Sequence, residues 1–194
     1  MTPPALSFQD RYTYADYAQW DDDERWELIE GVAYNMTPAP NRRHQRISMR
    51  LTIILGIGLK GSGCHPYAAP FDVRLPEAGE TAEDTYTVVQ PDLSVFCGKE
   101  RLDDKGATGA PDWVIEILSP STAKKDMTVK TLLYQKHGVK EYWIVDPEKE
   151  EVTVNIYNAQ TGRFEIPQVY AIEQTVVSHA FPQVSVPLEE VFED

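Results

Sequence analysis

The sequence predicts an α/β or α+β domain built around a mixed β-sheet, and three observations carry the prediction. Residues 42–60 place Ile47, Leu51, Ile54 and Leu55 at helical spacing and Arg42, Arg46 and Arg50 every four residues, so one helical face is apolar and another basic. "DWVIEIL" (112–118) is apolar on both faces, as in a strand covered on both sides. Strand-like and helix-like runs then follow in the order helix, strand, strand, strand, helix, strand. An N-terminal addition precedes this core and antiparallel strands follow it. With 194 residues, 42% of them hydrophobic, the chain suffices for one core, and a single domain over 1–194 is expected, centred on roughly 42–146.

In chain order, residues 9–20 read as a short helix and "DDDERW" as a solvated acidic run, and "WELIEGVAYNM" as strand residues turning at Gly31. The basic amphipathic helix follows the loop "TPAPN". "YAAPFDVRL" (67–75) and "VVQPDLSVFC" (88–97) read as strands separated by the polar stretch "PEAGETAED". After "DWVIEIL", Ser121 or Thr122 can cap a helix that ends near Gly138, and "EYWIVD" (141–146) is the next strand. Beyond residue 147, β-prone runs alternate with turn signals such as "NAQTGR", which predicts a terminal antiparallel hairpin.

No leader-like N-terminus and no apolar run of membrane-spanning length stands out, so a cytoplasmic protein without a membrane partner is expected. Cys64 and Cys97 lie in different segments without metal-ligand spacing and read as ordinary thiols. The formal charge of −13 argues against non-specific nucleic-acid affinity. Its distribution leaves room for a local basic surface: residues 42–60 hold Arg42, Arg43, Arg46, Arg50 and Lys60 without an acid, and residues 121–140 hold five lysines with only Asp126.

Two carboxylates stand where apolar residues belong. Asp92 follows Pro91 inside an otherwise buried strand pattern, although proline donates nothing to a ladder and a buried carboxylate costs several kcal/mol unless compensated. Glu116 shares a strand face with Val114 and Leu118. On the following helix, Lys130 falls on a stripe with Ala123, Met127 and Tyr134; a lysine there either snorkels to water or serves a site, and Tyr134 reads as core packing. Two carboxylates and an ammonium can hold a divalent cation and position a water for attack on a phosphodiester.

These residues resemble a known family. "VVQPDLSVFC", the block "APDWVIEILSPST" to "GVKEYWIVDP", "WELIEGVAYNM" and "FDVRL" are similar to the Uma2 family, formerly a domain of unknown function (DUF820), in the PD-(D/E)XK nuclease superfamily. The resemblance covers most of the chain. It implies a restriction-endonuclease-like core and a Mg²⁺-dependent endonuclease acting on DNA, with Mn²⁺ as a substitute and a homodimer as the assembly. By this resemblance Asp92 and Glu116 bind metal, and Glu30 of "ELIEG" is an additional metal or water-orienting carboxylate. Asp72 matches as well, with salt bridging as its expected role. The superfamily's lysine should stand two residues after Glu116, where this chain has Leu118. Lys130 is the expected replacement, with Lys124 and Lys125 as rivals. Arg43, Arg46 and His44 are candidate phosphate contacts; solvated helix charge for the arginines and a turn cap for the histidine are the plainer readings. The rival reading of the whole chain is a non-catalytic nuclease fold used as a protein-interaction or structural module.

Overall fold

The computed structural model describes residues 11–20, 24–36, 40–119 and 126–193. Its first elements are α1 (Tyr14–Tyr17), β1 (Trp26–Ile29), β2 (Val32–Asn35), α2 (Arg42–Gly58), β3 (Cys64–Ala68), β4 (Val73–Arg74), β5 (Val88–Val89) and β6 (Leu93–Cys97). After β7 (Leu102–Asp103), β8 (Gly106–Thr108) and β9 (Trp113–Ile117), a π-helical segment (Asp126–Lys130) runs into α3 (Thr131–Lys136). The chain closes with β10 (Glu141–Asp146), β11 (Glu151–Asn158), β12 (Arg163–Phe164), β13 (Gln168–Ala171), β14 (Thr175–Val177), β15 (Ser185–Pro187) and α4 (Leu188–Phe192). The chain forms two compact units, the first from 1–39, 71–90 and 101–109, the second from 40–70, 91–100 and 110–194.

The first unit carries the sheet β2-β1-β5-β4-β8-β7. Thr13 and Asp16 form a capping box that starts α1. The β1–β2 hairpin turns on Glu30 and Gly31, both at positive φ (51° and 83°), the backbone of a two-residue hairpin loop. A Cβ at Gly31 would lie 2.7 Å from the Arg11 side chain, so glycine is required there on both counts. Tyr12, Tyr14, Leu28, Ala33 and Val88 form this unit's core, with Tyr17, Trp20 and Trp26 packed against it.

The second unit carries the sheet β12-β11-β10-β9-β6-β3, with β13 also paired to β11. Its central pair, β9 and β10, is parallel; β3, β6 and β11 add antiparallel. In sequence order, α2, β3, β6, β9, α3 and β10 reproduce the expected helix, strand, strand, strand, helix, strand. Ile47, Leu51 and Leu55 of α2 pack on Leu93, Val95, Trp113, Ile115, Ile117, Trp143 and Val145, which alternate along their strands as one face requires. Glu116 and Val114 occupy the intervening positions, on the opposite face.

Three expectations are corrected in detail. The run 88–97 is two strands: Val88–Val89 belongs to the first unit's sheet and Leu93–Cys97 to the second's, with Pro91 and Asp92 in the break. Proline's missing N–H is tolerated there because no ladder crosses that point. The strand foreseen over 67–75 divides in the same way, into β3 and β4. Cys64 and Cys97 are not separate thiols. Antiparallel pairing sets them directly opposite each other, and they form a disulfide with a 2.06 Å S–S bond.

Candidate active site

Asp92 sits at the bend where β6 begins. Its carbonyl accepts from the Ala69 N–H at 3.0 Å. Its Oδ2 accepts from the Ile117 N–H at 2.8 Å. The β6–β9 register ends at the Leu93–Ile115 pair, so the carboxylate takes the N–H that the next ladder bond would have used. The same Oδ2 lies 3.2 Å from His44 Nε2. His44 stands in the first turn of α2, which Asn41 caps by accepting the His44 N–H at 2.9 Å. The imidazole therefore neither caps the turn nor reaches outward; it is buried against Asp92.

Glu116 lies on β9, one residue before the N–H that Asp92 accepts. Its Oε1 takes two hydrogen bonds, from Lys130 Nζ at 2.8 Å and from the Tyr134 hydroxyl at 2.7 Å. All three side chains are buried, Lys130 at 2% exposure. Snorkelling is thereby excluded for Lys130: the ammonium ends on a carboxylate inside the fold. Tyr134, read from sequence as packing, is also a hydrogen-bond donor to the site. Lys124 and Lys125 lie outside the described residues.

Glu30 belongs to the first unit and is exposed on the β1–β2 turn, where its carbonyl accepts from Arg11 Nε at 2.9 Å. The same unit holds a carboxylate that sequence reading passed over. Glu27 of β1 is fully buried, and its Oε1 accepts the Gln90 N–H at 3.0 Å. The signal was present in "WELI", where a carboxylate interrupts a strand of Trp, Leu and Ile, the anomaly that singled out Asp92 and Glu116. Asp72 makes no salt bridge among the described residues. Its Oδ1 accepts instead from Tyr17 Oη at 3.2 Å and Gln90 Nε2 at 2.8 Å. Burial pushes the Asp72 carboxyl up from its ordinary value, against the pull of those two donors and of the Arg74 and Arg25 charges.

The arginines of α2 separate by partner. Arg43 pairs with Glu150 at 2.5 Å, and Arg50 pairs with Glu193 at 2.8 Å and donates to the Glu190 carbonyl. Arg46 has no ion-pair partner among the described residues.

The donor set suits a hard cation: carboxylate oxygens, with no thiolate near. Among the described residues, however, no group of three or more His, Cys, Asp and Glu is arranged to hold a metal ion. A Mg²⁺ ion commonly takes only one or two carboxylates and completes its shell with water and substrate phosphate, so the donor chemistry of Asp92 and Glu116 suits such an ion.

The sequence and the fold have relatives. A protein of Synechocystis described as uncharacterized is 26% identical over 140 residues, covering 71% of this chain and 70% of its own. A crystal structure from Anabaena variabilis, described as a putative nuclease belonging to DUF820, superposes with a TM-score of 0.72 at 22% identity, covering 93% of this chain and 97% of that one. At that identity the likeness establishes a shared fold. The family model described as "Putative restriction endonuclease" matches residues 14–189, a span that takes in both units and every residue placed above except Arg11, Tyr12, Thr13, Glu190, Phe192 and Glu193, and the chain belongs to the Uma2 family.

Proposed function

We propose that the protein is a Mg²⁺-dependent endonuclease that hydrolyses phosphodiester bonds of DNA. The observation that carries the proposal is that two unusual carboxylates engage neighbouring positions of β9: Asp92 caps the N–H of Ile117, and Glu116, the preceding residue, is bound by a buried lysine. A divalent ion held by Asp92 and Glu116 would supply charge neutralisation on the phosphate and a more acidic water. Lys130, an ammonium donating to Glu116, orients the attacking water in this reading. His44 holds Asp92 on its Oδ2 side, and Arg46 meets backbone phosphate. The water oxygen bonds to phosphorus and gives up a proton to solvent as the bond to the leaving sugar oxygen breaks, and that oxygen takes a proton from solvent. A homodimer would bring two such sites to the two strands of a duplex.

The test is cleavage of supercoiled plasmid with Mg²⁺ or Mn²⁺. Wild-type protein nicks it, and Asp92→Asn and Glu116→Gln each lower the rate by about 10²–10³-fold or more, the scale of removing a group that stabilises the transition state. A second reading, a nuclease fold used as an interaction module, is favoured by one observation: each carboxylate already has internal donors, His44 and the Ile117 N–H for Asp92, Lys130 and Tyr134 for Glu116. It predicts no metal-dependent cleavage by wild-type protein.

A further inference from the structure

We infer that Tyr134 is a positioning residue of this site, holding the Glu116 carboxylate in the orientation it needs toward a divalent ion. The inference rests on the endonuclease reading and assigns a role to a residue that reading does not use. Packing alone calls for a phenyl ring here: Tyr134 is completely buried and its ring meets Tyr142 of β10 edge to face, with centroids 4.9 Å apart. A hydroxyl at that depth costs free energy unless it is bonded, and it is bonded to Glu116 Oε1 at 2.7 Å.

The geometry that aims it is built into the helix. Lys130 is the last residue of the π-helical segment and Tyr134 stands four residues on, in α3, so both side chains project from one face onto the same carboxylate oxygen. Short π-helical segments are rare and frequent at functional sites. The end of α3 is held where the Val139 N–H donates to the Tyr134 carbonyl at 3.0 Å, with Gly138 at φ 71°. Lys130 balances the charge of Glu116. Tyr134 adds a second direction of constraint without adding charge, so together they limit rotation of the carboxylate where a lone ammonium would leave it free to swing.

The experiment compares wild type, Tyr134→Phe, Glu116→Gln and the double variant. Each is read by plasmid cleavage and by calorimetric titration of Mn²⁺ into DNA-free protein. Tyr134→Phe should lower kcat about 10- to 100-fold, as a misplacement of the order of 1 Å does, with KM for DNA within about twofold and Mn²⁺ affinity about 5- to 10-fold weaker. In the Glu116→Gln background the same change should alter neither kcat nor Mn²⁺ affinity further, because the carboxylate it acts through is gone. Unchanged kcat and Mn²⁺ affinity in a Tyr134→Phe protein with lowered thermal stability would overturn the inference and leave the endonuclease reading standing. A further loss in the double variant would overturn it too. If Tyr134→Phe does not fold, Glu116→Gln against the double variant decides alone. Wild-type protein that neither binds Mn²⁺ nor cuts DNA overturns both.

Discussion

Asp92, Glu116, Glu141 and Asp72 show how differently this chain compensates a carboxylate. Glu141 is fully buried and has three donors, Trp143 Nε1, the Ser178 hydroxyl and the Ala180 N–H, with no cation bonded to it among the described residues. Glu141→Ala should cost about 3 kcal/mol or more in denaturant unfolding, since buried donors lose their acceptor, and leave activity per folded molecule unchanged. Glu116 is balanced by Lys130 inside the fold, so Lys130→Met should destabilise by about 3–5 kcal/mol by leaving a buried charge unpaired, while Lys130→Met with Glu116→Met recovers most of the loss. Stability measured on the single and double variants checks this; a neutral single variant would mean that the pair is not formed. Asp72 has a raised pKa caused by burial, so its neutral form suits the fold. The stability this contributes is complete below the ordinary value of 3.8 and is lost as pH rises through the higher folded value. Asp72→Asn should therefore gain stability relative to wild type as pH rises from about 3.5 to 7, a difference in melting temperature that a pH series would show. A gap that narrows with pH would contradict it. Asp92 and Glu116 were legible in the sequence because a charge in an apolar strand is conspicuous in any register. His44, Tyr134 and Glu27 have their partners 48, 18 and 63 positions away, and only the fold brings those together.

At the scale of elements, helix α2 was readable from its two periodicities, and its buried face is the one the apolar residues mark. What periodicity does not reveal is which arginines the fold already uses. Arg43 and Arg50 are held by Glu150 and Glu193, acids of β-turn and C-terminal segments far along the chain. Charge reversal at Arg46 should therefore reduce DNA affinity and its salt slope by about one counterion, whereas Arg50→Gln should change stability more than salt slope. Fluorescence anisotropy across a salt series separates the two, and equal slopes for wild type and the Arg46 variant would leave Arg46 as solvated charge. The divided strand 88–97 was half legible: Pro91 announced a break, but nothing in "VV" and "LSVF" says that the two halves belong to different sheets. The Cys64–Cys97 pairing was hidden for the same reason, since it follows from the β3–β6 register.

At the scale of the molecule, the charge of −13 divides unevenly. The first unit holds fifteen Asp and Glu against five Lys and Arg, the second sixteen against thirteen. The unit that carries Asp92, Glu116 and Lys130 is thus nearly balanced, and the acidity that argued against nucleic acid belongs mostly to the other. No helix among the described residues is long and apolar enough to cross a membrane. The order of the core and its mixed sheet could be read from the chain because local periodicity dictates them; the interleaving of three segments in each unit could not, because it depends on contacts between distant runs. The central claim, that Asp92 and Glu116 together hold a divalent cation, is tested most directly by titrating Mn²⁺ into wild type, Asp92→Ala and Glu116→Ala in a calorimeter, without DNA. A saturable site in the wild type that both substitutions abolish is the expected result. Equal Mn²⁺ binding in all three proteins, or none in the wild type, would contradict it.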